Sequence, residues 1–120
     1  GQYAGKRYIS ENTITEFTRV QYPGNENRRG LGFDKPYLNN HEFLLADAYP
    51  APEVSATSFG HSGFTGTFVW ADPEHQLVYI FLSNRVYPTR ENRTIYDLNI
   101  RSSIQQIFYQ AFDNAKQRIP

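Results

Sequence analysis

Two apolar runs on either side of a tight-turn signal constrain the fold of this chain most. They span residues 68–71 and 77–82, and the segment Asp72-Pro73-Glu74-His75-Gln76 separates them. Asp and Pro are favoured at the first two positions of a type I turn, so this pattern predicts an antiparallel hairpin. The second run, LVYIFL, is apolar without alternation, which predicts a central strand covered on both faces.

A helical period follows the hairpin near the C-terminus. Its apolar positions are Ile100, Ile104, Ile107, Phe108, Ala111, Phe112 and Ala115. Asn99 or Asp97 can cap the start, and Lys116 and Arg118 suit the negative end of a helix. The apolar stripe is expected to pack on the hairpin. The sequence therefore predicts an α+β fold, in which an antiparallel sheet is packed by a C-terminal helix.

The first third of the chain carries weaker signals. Residues 1–9 are expected to be extended, and residues 10–18 predict a short helix with Ser10 as its N-cap. The segment 20–40 is rich in Gly, Asn and charge and predicts an irregular surface loop. Within it, residues 30–34 (GLGFD) form a candidate short strand.

Composition excludes several classes of protein. The 120 residues suit one domain, and 12 basic and 12 acidic residues give zero net charge, which argues against a nucleic-acid binder. There is no cysteine, so neither disulfides nor thiolate metal sites can form. No apolar run approaches the length of a membrane span. His41, His61 and His75 lack zinc-site spacing, so no metal site is predicted.

The stretch FGHSGFTG (residues 59–66) is the strongest candidate for a functional site. His61 and Ser62 offer hydrogen-bonding side chains, and Gly63 lacks the Cβ that would keep a substrate away from the backbone. The N–H of Phe64 could then point into a cleft and stabilise a developing oxyanion. The alternative on spacing alone is a glycine-rich strand entry with a bulge.

The order of these motifs resembles a known family. GHSGFTGTFVWADPEHQLVYIFLSNRVYP is similar to the last conserved block of the serine beta-lactamase-like hydrolases, and within them to class C beta-lactamases, DD-peptidases and related esterases. In that family a Lys-Thr-Gly or His-Thr-Gly triplet opens the strand that walls the active site. His61-Ser62-Gly63 stands at that place here, LSNRVYP (82–88) matches a later segment, and RRGLGFD (28–34) resembles the preceding strand.

The resemblance implies roles for the residues at this triplet. His61 and Ser62 would hydrogen-bond the substrate or a neighbouring catalytic residue, and Gly63 would leave room for the acyl group. The N–H of Phe64 would be half of an oxyanion hole, completed by the N–H of the nucleophilic serine. The parent reaction would be hydrolysis of a small ester, amide or lactam through an acyl-enzyme. The resemblance is to bacterial proteins and favours a periplasmic or extracytoplasmic location.

One departure from the family pattern limits this prediction. The family's nucleophile lies in Ser-x-x-Lys, and none of the seven serines here is followed three residues later by Lys. Tyr37-Leu38-Asn39 spells the family's Tyr-x-Asn, but it follows GLGF instead of preceding it, so we interpret it as a coincidence. Histidine at position 61 is a weaker permanent cation than lysine, which disfavours lactams and favours an esterase or peptidase-like activity.

The chain (residues 1–120, one domain) is therefore expected to be the C-terminal portion of a larger serine hydrolase. It would hold one wall of the active site, remain inactive alone and have the N-terminal remainder of the hydrolase as its partner. The alternative is a non-catalytic binding or assembly module on the same fold. An open sheet edge would also favour a homo-oligomer.

Overall fold

A computed structural model describes residues 1–24 and 27–116, without the side chain of Lys116. In chain order the elements are β1 (Gln2–Tyr3), β2 (Lys6–Arg7), α1 (Glu11–Thr18), a 3₁₀ turn (Asn40–Glu42), β3 (Phe59–Ser62), β4 (Phe68–Asp72), β5 (Leu77–Phe81), α2 (Thr94–Asp97) and α3 (Ile100–Lys116). The predicted α+β class, with antiparallel sheets and a C-terminal helix, agrees with this order.

The N-terminal expectations are partly confirmed. Strands β1 and β2 pair in a small antiparallel hairpin, and α1 begins where predicted, because the Ser10 hydroxyl accepts the N–H of Thr13 at 3.1 Å. The predicted strand at 30–34 is wrong. Its only pairing is an isolated bridge between Asp34 and Gly60, and Gly32 has a positive φ that turns the chain instead of extending it.

The main sheet contains the predicted hairpin. Strands β3, β4 and β5 are antiparallel in that order, and Trp70 of β4 lies opposite both Gly60 of β3 and Tyr79 of β5. The prediction of a central strand at LVYIFL is wrong. Strand β5 lies at the edge of the sheet, and Val78 and Ile80 are each 61% exposed. Among the described residues no element covers that face, so a continuous apolar run here does not mean burial on both sides.

The core lies on the opposite face of this sheet. Phe68, Trp70 and Tyr79 form it together with Ala51, Val54 and Tyr109. The rings of Phe68 and Trp70 stack at 5.6 Å. A loop and a helix thus close one side of the sheet.

Helix α3 packs on the hairpin as predicted. The Tyr79 hydroxyl donates to the backbone oxygen of Arg101 at 3.2 Å, and the rings of Tyr79 and Phe108 lie 5.7 Å apart. The predicted apolar stripe is only partly correct. The buried residues of this helix are Gln105 and Tyr109, which were not in the stripe, whereas the stripe residues Ile107, Phe108 and Phe112 are exposed. Of these three, Phe108 still contacts the ring of Tyr79, so the three-stranded sheet covers only part of the predicted stripe.

The predicted ends of α3 have different outcomes. Asp97 is the last residue of α2, so of the two candidate caps only Asn99 lies directly before α3, where its backbone oxygen accepts the N–H of Ser103 at 2.9 Å. Arg118 lies outside the described residues. In the described part of the chain, no helix has the length and apolar character needed to cross a membrane. Self-association through the open β5 edge stays a prediction.

Candidate active-site wall

His61 and Ser62 lie on β3, where successive side chains point to opposite faces of the sheet. His61 is exposed and lines a shallow groove with Gly63, Val69, Ile80 and Leu82. Ser62 is half-buried and lines a separate cavity of about 340 Å³ on the other face. Because their side chains lie on opposite faces, His61 and Ser62 cannot form a Ser-His dyad.

The His61 ring is oriented by the backbone beside it. Its Nδ1 lies 2.8 Å from the carbonyl oxygen of Ser62. A carbonyl oxygen can only accept, so Nδ1 carries the proton in this contact. Nε2 has no hydrogen-bond partner among the described residues, so it is the ring nitrogen left for a further contact.

Ser62 is engaged from the core side of the sheet. Its hydroxyl hydrogen-bonds to Tyr49, whose own hydroxyl donates to the Asp34 carboxylate at 3.0 Å. Burial and the charge of Asp34 raise the pKa of Tyr49, and the hydrogen bond with Ser62 opposes that change. Asp34 also pairs with Arg29 at 3.0 Å. Because its pKa is raised, Tyr49 stays protonated near neutral pH and is not a base for the Ser62 hydroxyl.

The turn after β3 presents a backbone donor at the surface. The N–H of Gly63 donates to Thr67 at 2.8 Å, and the N–H of Gly66 donates to Gly63 at 2.9 Å. Among the described residues none accepts the N–H of Phe64, whose side chain is 67% exposed. A fixed N–H without an acceptor is what an oxyanion-hole donor requires, because it must be available when charge develops.

Gly66 is required by the geometry of this turn. Its φ is +95°, a conformation that L side chains rarely adopt. A Cβ there would also overlap the Ser83 hydroxyl and the side chain of Ile95. At least one glycine of FGHSGFTG is thus required by the turn itself, independently of any close approach by a substrate.

Arg85 holds this turn in place, and sequence reasoning missed it. Its Nε donates to the carbonyl oxygen of Phe64 at 2.9 Å, and its backbone N–H donates to Thr65 at 2.9 Å. Its Nη1 donates to the carbonyl oxygens of Arg90 at 2.8 Å and Asn92 at 3.1 Å. The only signal was its place in LSNRVYP, which the resemblance had matched without giving the residue a role.

We expect Arg85→Gln to loosen the turn that carries the Phe64 N–H. Hydrogen bonds from a charged donor contribute about 1.5–3 kcal/mol, and glutamine cannot span the three carbonyl oxygens that the guanidinium contacts. Amide hydrogen exchange at Gly63 and Gly66 should accelerate by about tenfold or more. Arg90→Gln is the control, because Arg90 is exposed and pairs only with Glu91 at 3.5 Å. Equal exchange in both variants would contradict the role of Arg85.

The remaining candidates lie away from the His61 groove. Tyr37 and Asn39, which spell the family's Tyr-x-Asn with Leu38, line a different cavity together with Arg28. His75 pairs with Asp72 at 3.0 Å, and His41 approaches Glu42 at 4.0 Å. Within the described ranges, no group of three or more His, Cys, Asp or Glu side chains could hold a metal ion.

The sheet, the helix and the turn agree with the result of a family comparison. The Beta-lactamase family model matches residues 5–101, and the chain belongs to this family. No curated protein and no solved structure matches the chain. The match includes FGHSGFTG and Arg85. The predicted membership of the beta-lactamase-like serine hydrolases is therefore confirmed, whereas the narrower branch and the roles of single residues stay predictions.

Proposed function

We propose that this chain provides one wall of a serine hydrolase active site. The observation that carries the proposal is the N–H of Phe64, which has no acceptor among the described residues and lies on a fixed turn directly after His61-Ser62-Gly63, the segment that resembles the family's triplet. In this role the N–H donates to the oxyanion of an acyl intermediate, and one such donor typically contributes about 2.7–4 kcal/mol. His61 contacts the substrate through Nε2, and Gly63 leaves room for the acyl group. Ser62, whose side chain lies on the other face of β3, hydrogen-bonds a neighbouring residue of the active site instead.

The nucleophile belongs to another part of the same hydrolase in this proposal. The 120 residues contain no Ser-x-x-Lys. Ser62, the serine at the wall, lies on the opposite face from His61, and its neighbour Tyr49 stays protonated near neutral pH, so among the described residues neither serves as its general base. The chain alone is therefore expected to form no acyl-enzyme. Its partner is the N-terminal remainder of the hydrolase, which supplies the serine and lysine.

The substrate class follows from the residue at position 61. A lysine there would supply a permanent positive charge for the carboxylate of a lactam substrate, whereas a histidine supplies mainly a hydrogen bond near neutral pH. We therefore propose a small ester or a peptide-like amide as the substrate. The proposed reaction proceeds by acyl transfer and hydrolysis without metal or organic cofactor, in the periplasm or outside the cell.

A second candidate is a non-catalytic binding or assembly module. The absence of Ser-x-x-Lys supports it directly, and the uncovered apolar side chains of Val78 and Ile80 offer a surface for a partner. In this case the chain would keep the family fold but would take no part in catalysis.

Intact mass spectrometry tests whether the nucleophile lies within this chain. The chain is incubated with a fluorophosphonate probe and, separately, with a penicillin, while turnover of a nitrophenyl ester is followed. We expect neither adduct nor turnover. A stoichiometric adduct on Ser62 would overturn the conclusion that the nucleophile lies elsewhere.

A segment exchange tests the wall itself. Residues 59–66 replace the equivalent segment of an active beta-lactamase-like esterase, and ester hydrolysis is measured. Retained kcat/KM in the chimera, and a loss of about tenfold or more on adding His61→Ala, would support a wall that contacts the substrate. Gly63→Val is unsuitable here, because a Cβ at Gly63 would overlap the Thr67 hydroxyl whether or not substrate is bound. A folded but inactive chimera would favour the binding module.

A further inference from the structure

We propose that a second cavity binds a small carboxylate with an apolar body. This cavity, called here the Arg28–Lys35 cavity, has a volume of about 470 Å³, and its lining includes Val20, Arg28, Lys35, Tyr37, Leu38 and Val54. It shares no lining residue with the His61 groove or the Ser62 cavity. The inference therefore does not depend on the proposed hydrolase function.

Lys35 is a buried cation without a counterion. Only 6% of the residue is exposed, and its Nζ donates to the backbone oxygen of Thr57 at 2.9 Å. Among the described residues no carboxylate forms an ion pair with it and no other acceptor takes its remaining two donors. Burial lowers the pKa of Lys35 to about 8, and the more distant charge of Asp72 opposes this only in part. An anion in the cavity would compensate this charge.

Arg28 supplies a second cation on the same cavity wall. Its guanidinium lies over the rings of Tyr37 and Tyr49, with its carbon 5.0 and 4.2 Å from the two centroids, and its Nη1 donates to the Lys35 carbonyl oxygen. In the described ranges it has no ion pair, whereas the adjacent Arg29 pairs with Asp34. Ring stacking occupies the guanidinium faces and leaves edge donors for a carboxylate.

The rest of the cavity selects the body of the ligand. Val20, Pro23, Pro36, Leu38 and Val54 provide an apolar lining beside the two cations. Ligand sites of this size are commonly apolar with a few charged or polar groups that fix orientation. A carboxylate with an aryl or short acyl body matches this combination, whereas a phosphate or another fully polar anion would leave the apolar lining without contacts.

Calorimetric titration with sodium phenylacetate and with neutral phenylacetamide tests the proposal. At pH 7 the acid should bind at least tenfold more tightly than the amide, and Lys35→Gln and Arg28→Gln should each weaken acid binding by at least tenfold. Lys6→Gln is the matched control, because Lys6 is exposed, and should leave binding unchanged. Equal affinity for acid and amide, or undiminished binding by folded Lys35→Gln, would overturn the proposal.

The pH dependence identifies the lysine. The carboxylate requires the ammonium form, so affinity should stay high below pH 8 and fall about tenfold per unit well above it. The exposed His41 also lines the cavity, so the titration is repeated with His41→Asn, which should show the same loss of affinity above pH 8. Lys35→Arg should retain binding and lose this dependence. If Lys35→Gln does not fold, Lys35→Arg and the cavity-filling Ala56→Leu decide, since undiminished binding by Ala56→Leu would place the ligand elsewhere.

Discussion

Asp72→Ala is expected to lower the free energy of unfolding by about 3–5 kcal/mol, the usual cost of removing one member of a buried charged network. Asp72 is 2% exposed and ends β4. Its carboxylate accepts the N–H and the hydroxyl of Ser55 at 2.8 and 2.7 Å, and the Tyr109 hydroxyl at 2.8 Å. It also contacts the ring of His75 at 3.0 Å. Alanine would leave these donors buried without an acceptor.

Urea unfolding at pH 7 measures this effect. Asp72→Asn should lower the free energy of unfolding less than Asp72→Ala, because the amide keeps one acceptor oxygen. It should still lower it, because the amide NH2 then faces hydrogen-bond donors. Asp47→Ala is the matched control, since Asp47 is exposed in a turn, and its effect should stay within about 0.5 kcal/mol. A loss below about 1 kcal/mol for Asp72→Ala would mean that the network is not what joins the hairpin to α3.

The same carboxylate makes stability depend on pH. Burial acts to raise the pKa of Asp72, but the hydrogen bonds from Ser55, Tyr109 and His75 outweigh burial and hold the pKa below its usual range. A group whose native pKa is lowered stabilises the fold above its unfolded pKa of about 3.9, and this contribution is lost as pH falls through the native pKa. The difference between wild type and Asp72→Ala should therefore shrink below pH 4.

The Asp72 network includes one feature that the sequence could predict and one that it could not. Asp72 was predicted as a turn residue, because Asp-Pro turn chemistry is local and depends only on neighbouring residues. Its partner Tyr109 lies 37 residues away, and nothing in the sequence pairs the two. The edge position of β5 was missed for a related reason, because an apolar run reports what a strand prefers to contact and not whether this chain supplies the contact.

In the candidate site, too, local features could be predicted from the sequence and contacts between distant residues could not. The opposite orientation of His61 and Ser62 was predictable, because side-chain alternation is a property of any strand. The role of Arg85 was not, since three of its guanidinium acceptors are backbone oxygens, which every residue carries and no pattern distinguishes. The burial of Lys35 was equally hidden, because a lysine in a polar loop is expected to be exposed. Charge in a sequence does not reveal whether a counterion will be near.

Trp70→Ala should destabilise the fold by about 3–5 kcal/mol, as expected for removal of a large buried aromatic side chain. Trp70 is 1% exposed, stacks on Phe68, and meets the ring of Tyr49 edge-on at 5.7 Å. Gly60 on β3 faces this ring, and a Cβ there would overlap both the ring and the backbone oxygen of Val69. In Trp70→Ala, Gly60 has no side chain that could fill the space left by the indole ring.

The comparison with Trp70→Phe and Val69→Ala decides whether this cost comes from the core. Phenylalanine keeps much of the stacking and removes an indole N–H that has no hydrogen-bond partner here, so its cost should be smaller. Val69 lies on the same strand but is 44% exposed on the other face, and its replacement should cost about 1 kcal/mol or less. Far-UV circular dichroism in urea is the measurement, because Trp70 is the only tryptophan and its fluorescence is lost in the variants. Equal losses for Val69→Ala and Trp70→Ala would mean that both faces of the sheet are covered in solution, as self-association through the open face requires.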